Sequence, residues 1–149
     1  MDWPVELEEL YLERRAWLVR VAYLLVGDVG VAEELVQDAF VATAPRWDSV
    51  EYPAAYLRTA VVNRCRSWAR RSRLERERVP VAPDSALMEP DEMWDALQRL
   101  RPKRRAAVVL RFYEDLPDAE IAVVLGVQQS TVRSLVRRGL SDLRMEIER

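Results

Sequence analysis

Apolar residues recur along this sequence at steps of three and four. In the N-terminal segment they are Leu7, Leu10, Tyr11, Trp17, Leu18, Val21, Leu24 and Leu25. This spacing places the apolar side chains on one face of an α-helix, whereas a half-buried strand would need strict alternation of apolar and polar residues. No segment shows that alternation, so the chain of 149 residues is predicted to be all-α.

Glycine, aspartate and proline residues divide the helical pattern into segments. Gly27 ends the first helix, and Asp28 is placed to cap the second. Pro45 stops the second helix, and Pro53 stands where a third begins. Further helices are predicted around residues 93–100, 103–113, 118–125 and 129–148.

Three prolines without any helical period lie between Val79 and Pro90, a pattern typical of a linker. The sequence therefore predicts two small helical domains, in residues 1–75 and 91–149. A flexible linker in residues 76–90 would join them.

Charge is segregated along the chain, although the net charge is only −2. Counting Lys and Arg against Asp and Glu gives −7 for residues 1–51, +6 for 52–78, −4 for 79–100 and +3 for 101–149. Two basic segments separated by an acidic one predict two places where a polyanion can dock.

Composition excludes several classes of function. The chain has no histidine, one cysteine and four glycines. A Ser-His-Asp triad, a histidine metal site, an internal disulfide and a glycine-rich phosphate loop are therefore excluded. We predict no catalytic residues, no metal site and no cofactor. The acidic N-terminus and the absence of an 18-residue apolar run predict a cytoplasmic protein without membrane insertion.

The segment from Ala119 to Arg133 has the pattern of a helix-turn-helix, with Gly126 in the turn four residues after the small Ala122. One face of the last helix is apolar and carries Val132, Leu135, Val136, Gly139, Leu140 and Leu143. The other face carries Ser130, Arg133, Ser134, Arg137, Arg138, Ser141 and Arg144. Arginines can fork onto phosphates or guanine edges, so this acid-free face predicts DNA binding.

A second basic helix follows Pro53. Its predicted buried stripe is Leu57, Val61, Cys65 and Trp68. The opposite face presents Asn63, Arg66, Ser67 and Arg70, and the aromatic residues Trp47, Tyr52 and Tyr56 lie upstream or near its start. Cations beside aromatic rings suit a nucleic-acid strand with partly unstacked bases. The preceding helix instead exposes Glu33, Glu34, Gln37 and Asp38, a face that fits a basic protein partner rather than DNA.

Four stretches resemble the sigma-70 family of transcription initiation factors. Residues 32–40 resemble the helix of that family that binds core RNA polymerase, and residues 56–65 resemble its −10-reading helix. Residues 97–113 look like the start of its fourth region, and residues 131–134 match its −35-reading helix. With only regions two and four and a short linker, the chain is similar to the extracytoplasmic-function group.

The resemblance implies a sigma factor, with core RNA polymerase and promoter DNA as partners and an anti-sigma factor as a further family expectation. The implied polymerase contacts are Glu34, Leu35, Gln37, Asp38 and Phe40. The implied −10 contacts are Asn63, Arg64, Arg66 and Arg70, with the loop Asp48–Pro53 capturing a flipped base. The implied −35 contacts are Ser130, Thr131, Arg133, Ser134, Arg137 and Arg138.

Two positions depart from the family pattern, because Ser130 stands where many members have Gly and Leu135 where many have Arg. The residues also leave two other functions open. One is an autonomous helix-turn-helix regulator, which would dimerise on a palindrome without polymerase. The other is a sigma-like interaction protein that sequesters a regulator.

Overall fold

A computed structural model describes residues 2–74 and 92–148, and helices account for most of these residues. The α-helices are α1 (Val5–Val26), α2 (Val29–Thr43), α3 (Pro53–Leu74), α4 (Glu92–Arg99), α5 (Pro102–Phe112), α6 (Asp118–Leu125) and α7 (Gln129–Ile147). No strand occurs in the described ranges, which agrees with the all-α prediction. The predicted linker, residues 76–90, lies outside the described residues.

The predicted helix boundaries are confirmed to within one or two residues. Gly27 has a φ of 77°, and its N–H donates to the carbonyl of Tyr23 at 2.8 Å, which closes α1. The Asp28 carboxylate accepts from the N–H of Val31 at 3.0 Å and caps α2. Helix α2 ends just before Pro45, where the chain continues as a 3₁₀ helix, Ala44–Ser49.

Helices α1, α2 and α3 form the N-terminal unit. Leu57, Val61 and Cys65 are at most 1 % exposed, so they form the inner face of α3 as predicted. Trp68 is only partly buried at the edge of that face. Complete burial of a leucine side chain stabilises the folded state by about 1.5–3 kcal/mol, so this stripe strongly stabilises the packing of α3 against its neighbours.

Helices α4 to α7 form the C-terminal unit, in which α5 and α7 cross closely at Gly139. A Cβ at Gly139 would lie 2.6 Å from Cγ2 of Val108, so only glycine fits there without a shift. Leu140 is 42 % exposed, and its predicted place on the buried face is therefore wrong. At 100° per residue it lies about 80° from Val132 and about 60° from Leu143 around the helix, and both of those residues are buried.

The two units pack against each other. Helix α1 contacts α4 and α5, and α3 contacts α5 and α6. The buried residues of both units form one continuous hydrophobic core. None of the helices in the described ranges has an apolar stretch of the length that a bilayer crossing requires.

Candidate nucleic-acid interface

The predicted recognition face of α7 is open to solvent. Ser130, Thr131, Arg133, Arg137 and Arg138 are exposed, and Ser134 is partly buried. No hydrogen bond or ion pair holds any of the three arginine side chains among the residues that the structure describes. Their guanidinium donors are therefore available to phosphate oxygens or to base edges.

Beside this face, the turn between α6 and α7 forms an open groove of about 620 Å³. Gly126 closes α6 in the left-handed conformation, with a φ of 68°, as predicted for the turn. Val123, which is 77 % exposed, lines the groove together with Gln128 and Gln129. An apolar side chain can contact a thymine methyl group, and a glutamine can pair with adenine. The predicted basic face of α7 does not include these residues, because they precede it in the sequence.

The predicted basic face of α3 is less open. Arg70 is exposed, whereas Asn63, Arg64 and Arg66 are partly buried. The Arg66 guanidinium donates to Oδ1 of Asn63 at 3.0 Å, and it approaches the carbonyl of Leu125 at 3.5 Å. Burial lowers the pKa of Arg66, and the charge of Arg70 lowers it further. Arg66 remains protonated near neutral pH because guanidinium begins from so high a value.

The four α3 residues do not share one face equally. Positions 63, 66 and 70 fall within about 60° on a helical wheel, whereas position 64 lies about 100° from Asn63. Arg64 is therefore placed beside the face that the other three form. The structure thus brings Asn63, Arg66 and Arg70 together and sets Arg64 apart.

Two tyrosines lie next to the α3 face. Tyr52 is 71 % exposed and precedes α3, and Tyr56 is 39 % exposed in its first turn. Trp47 is partly buried and packs against the core, so it is not free to stack on a base. The loop predicted at Asp48–Pro53 begins within the last turn of the 3₁₀ helix and contains Tyr52 at its far end. Exposed rings at this place suit contact with an unstacked base.

The acidic face of α2 points to solvent. Glu33, Glu34, Gln37 and Asp38 are exposed, and Leu35 is partly buried. Val41 lies on the same face, one turn from Gln37, and is 41 % exposed. The predicted acidic face does not include Val41, although its i, i+4 spacing from Gln37 is a signal for it.

Phe40, which is predicted to contact core polymerase, is completely buried in this structure. Its ring stacks on Trp3 at a centroid distance of 6.1 Å and makes a T-shaped contact with Tyr11 at a centroid distance of 4.9 Å. Phe40 therefore supports α2 from its inner side. Aromatic pairs of this kind add about 0.5–1.5 kcal/mol beyond burial.

Cys65 is fully buried in the α3 stripe, and burial raises the pKa of its thiol to about 12. A thiol with so high a pKa supplies almost no thiolate near neutral pH and is a poor nucleophile. Within the described ranges, no group of three or more His, Cys, Asp or Glu side chains is arranged to hold a metal ion.

Comparison with known families identifies two matching regions. Residues 10–75 match the family described as Sigma-70 region 2, and residues 91–143 match Sigma-70, region 4. The RNA polymerase sigma-E factor of Streptomyces avermitilis is 36 % identical over 97 % of this chain and 86 % of its own length. The probable ECF RNA polymerase sigma factor SigI of Mycobacterium tuberculosis is 33 % identical over 83 % of this chain and 49 % of its own.

Two solved structures are also similar. The sigma factor RpoE of Bartonella quintana, crystallised with the anti-sigma factor NepR, has a TM-score of 0.75 at 26 % identity and covers 95 % of each chain. The extracytoplasmic function sigma factor SigJ of Mycobacterium tuberculosis has a TM-score of 0.67 at 29 % identity, covering 91 % of this chain and 52 % of SigJ.

Proposed function

Since this chain belongs to the extracytoplasmic-function group of the sigma-70 family and is a sigma factor that directs promoter-specific transcription, we propose which of its residues bind polymerase and which bind promoter DNA. Helix α2 docks on core RNA polymerase, α3 reads the −10 element and α7 reads the −35 element. The observation that carries this assignment is the separation of exposed faces: an acidic face on α2, and basic faces on α3 and α7.

The polymerase contact is assigned to Glu34, Leu35, Gln37 and Asp38, with Val41 added. Carboxylates on an exposed helix face suit a basic partner, since complementary charge speeds encounter and excludes other partners. Leu35 and Val41 supply apolar area beside the charges. Phe40 is assigned a supporting role, since its ring is buried beneath the face.

The −10 contact is assigned to Asn63, Arg64, Arg66 and Arg70, with Tyr52 from the preceding loop. Holding the −10 region open requires unpairing and unstacking, which cost a few kcal/mol per base. Stacking on an aromatic side chain returns about 1–3 kcal/mol per base. The arginines hold the strand by its phosphates, and this chain makes or breaks no covalent bond.

The −35 contact is assigned to Ser130, Thr131, Arg133, Ser134, Arg137 and Arg138. The arginines are exposed and free of ion pairs to described residues, so no internal interaction must be broken before they meet DNA. Leu135 is partly buried and offers no phosphate contact at the position where many family members carry Arg. The free arginines therefore provide most of the charge at this interface.

An anti-sigma factor is included among the partners on two grounds. The chain has the regions of its group, and it is similar over 95 % of its length to a sigma factor that was crystallised with one. Co-purification of a second protein with the tagged chain, followed by loss of transcription on adding that protein, supports this part of the proposal. An added protein without effect on transcription contradicts it.

Run-off transcription tests the assignments. Core polymerase from the source organism is incubated with its genomic DNA, with and without the purified chain, and new transcript starts are mapped. Glu34→Lys and Asp38→Lys should abolish chain-dependent starts by preventing association with core polymerase. Glu13→Lys, an equal charge change at an exposed α1 site, should not.

The DNA contacts need a second pair of variants. Arg133→Ala with Arg137→Ala should leave binding to core polymerase intact and remove the chain-dependent starts. Arg15→Ala, the same change at an exposed position of α1 outside the three assigned faces, should have little effect. Normal starts from the double variant contradict the −35 assignment, and specific footprints of the chain without polymerase would favour an autonomous regulator instead.

A further inference from the structure

The groove between α6 and α7 is lined by uncharged side chains among the residues that the structure describes. Val123 lies on its α6 side, and Gln128, Gln129 and Ser130 lie on its α7 side. Phosphates are held mainly by cations and hydrogen-bond donors, whereas base edges in the major groove offer donors, acceptors and methyl groups. The groove is therefore suited to base edges, and the arginines beside it supply the positive charge.

The acidic residues of α6 do not contribute to this groove. Asp118 accepts a hydrogen bond from Arg111 at 2.8 Å, and the Glu120 carboxylate lies 3.7 Å from the Arg58 guanidinium. Neither carboxylate belongs to the groove lining. A duplex that enters the groove therefore meets no negative charge from the described residues that line it.

Val123 is the exposed member of an apolar run in α6. The two apolar residues before it and the two after it are at most 8 % exposed, whereas Val123 is 77 % exposed. Covering exposed apolar surface is favourable when the covering group is itself apolar. In the major groove, the apolar group that a base pair presents is the C5-methyl group of thymine. Val123 is therefore placed to contact a thymine.

Gln129 lies at the edge of the basic face of α7, beside the groove. At about 100° per residue, it is about 40° from Arg133 on that face and about 60° in the other direction from Val132, which is buried. Gln129 is exposed, and its side chain makes no hydrogen bond to the described residues. A free glutamine amide can donate to N7 of adenine and accept from its N6 amino group at the same time.

The turn between the helices fixes the positions from which these two side chains extend. The N–H of Val127 donates to the carbonyl of Ala122 at 3.0 Å, and the Val127 side chain packs against the hydrophobic core. The carbonyl of Gln128 accepts from the N–H of Val132 at 3.1 Å, which starts the hydrogen bonding of α7. Because the backbone is already ordered, binding DNA requires little further ordering at this place.

We propose that Val123 and Gln129 are specificity-determining residues of the −35 interface and select A·T pairs within the element. Gln129 pairs with N6 and N7 of an adenine, and Val123 contacts the methyl group of a thymine in the same or the adjoining pair. Contacts from the α7 arginines to phosphates position the helix but carry no sequence information. This inference rests on the proposed −35 assignment of α7, and it adds a residue of α6 to that interface.

Removing a single methyl group from the DNA tests the contact of Val123. Holoenzyme formed from core polymerase and the chain is titrated against fluorescent duplexes that carry the −35 element shared by the mapped transcript starts. Each thymine of the element is replaced in turn by deoxyuridine, which lacks only the C5-methyl group. Wild-type holoenzyme should bind one of these duplexes about threefold to fourfold more weakly, as expected for one buried methyl group.

The variant Val123→Ala should bind the thymine and deoxyuridine duplexes equally at that position. Val5→Ala is the matched control, because Val5 is 65 % exposed in α1, and it should keep the wild-type ratio of affinities. Both valines are exposed, so neither change should disturb the fold, and circular dichroism of each variant checks this.

Removing one acceptor from adenine tests the contact of Gln129. Each adenine of the element is replaced in turn by 7-deazaadenine, which lacks the N7 acceptor and still pairs with thymine. Wild-type holoenzyme should bind one of these duplexes about threefold to tenfold more weakly, the value of one hydrogen bond. Gln129→Ala should remove this difference. Gln129→Glu should remove it as well, because a carboxylate accepts from N6 but cannot donate to N7.

Several outcomes would overturn the inference. Equal wild-type affinities for every deoxyuridine duplex, or a Val123→Ala variant that still prefers thymine, would exclude the methyl contact. A Gln129→Ala variant that weakens binding to all duplexes by one factor would indicate a phosphate contact instead of base reading.

The double variant Arg133→Ala with Arg137→Ala separates this inference from the −35 assignment. If the double variant binds the original duplex as tightly as wild type, the −35 assignment itself fails. If it binds more weakly while the Val123 and Gln129 variants keep the wild-type base preferences, only the present inference fails.

Discussion

The basic faces of α3 and α7 carry similar residues in different surroundings. On α7, Arg133, Arg137 and Arg138 are exposed and engage no described residue. On α3, Arg66 is partly buried and already bonded to Asn63. The difference shows that a count of arginines on a helix face does not measure how available the face is. The α7 face is ready to bind on folding, whereas the α3 face depends on how the two units are arranged.

The largest expected effect is on the free energy of unfolding, for a substitution on the inner face of α3 compared with one on α7. Leu57→Ala removes a side chain that is 1 % exposed on α3, and should lower the free energy of unfolding by about 2–5 kcal/mol. Leu140→Ala on α7, at 42 % exposure, should lower it by less than about 1 kcal/mol. Urea denaturation followed by circular dichroism measures both. Equal losses would show that Leu140 packs as firmly as Leu57.

Arg137→Ala comes next. It should weaken binding of the holoenzyme to a duplex with the −35 element by about 1–3 kcal/mol if the side chain forks onto a base. If the side chain holds a phosphate, the slope of log affinity against log salt concentration should fall by about one. Fluorescence anisotropy at several salt concentrations distinguishes these outcomes. An unchanged affinity and slope would remove Arg137 from the interface.

A smaller effect is expected for Arg66→Ala in the free chain. Wild-type Arg66 must give up its bonds to Asn63 and Leu125 before it reaches a phosphate, so part of its contribution is already offset. We expect −10 strand binding by the free chain to weaken by about 0.5–1.5 kcal/mol. Arg70→Ala, at an exposed position on the same face, is the matched comparison. A larger loss of strand affinity for Arg66→Ala than for Arg70→Ala would mean that breaking the internal contacts of Arg66 has no free-energy cost.

The smallest effect concerns Cys65 on the buried side of α3. At pH 8, a thiol with a pKa of about 12 is thiolate in about one molecule in ten thousand, so a maleimide should hardly label the native chain. Labelling should become rapid in denaturant, where the pKa returns to its usual value. Rapid labelling of the native protein, followed by mass spectrometry, would show that α3 separates readily from α1 and α2.

Much of this protein follows from local patterns. The sequence predicts helix ends at Gly27 and Gly126 because helices commonly end in a left-handed residue, and both glycines have positive φ. It also predicts Asp28 as a cap, because a carboxylate can accept from the first free N–H groups of a helix, and this bond is present. Periodicity likewise placed the α7 arginines on an outward face. These predictions succeeded because each depends on residues only a few positions apart.

Other features of the molecule depend on distant residues. Phe40 matches a motif for partner contact, but Trp3 and Tyr11 cover its ring. Val62 lies outside the predicted buried stripe of α3. It is nevertheless fully buried, on the flank where Arg58 and Arg66 meet α6. Helical spacing allows Val62 to join the stripe, because it lies three residues before Cys65, but only the tertiary structure shows that α6 lies beside this flank.

The sequence by itself therefore determined the helices, their ends, their order and the sign of charge on each exposed face, because these follow from spacing and capping along one segment. Only the tertiary structure decided which faces are covered, since burial depends on surfaces from residues up to about a hundred positions away, as in the bond between Trp17 and Glu114. A helix has several faces, and a neighbour chooses among them by packing. How far the −10 face of α3 is exposed is therefore decided by the tertiary structure.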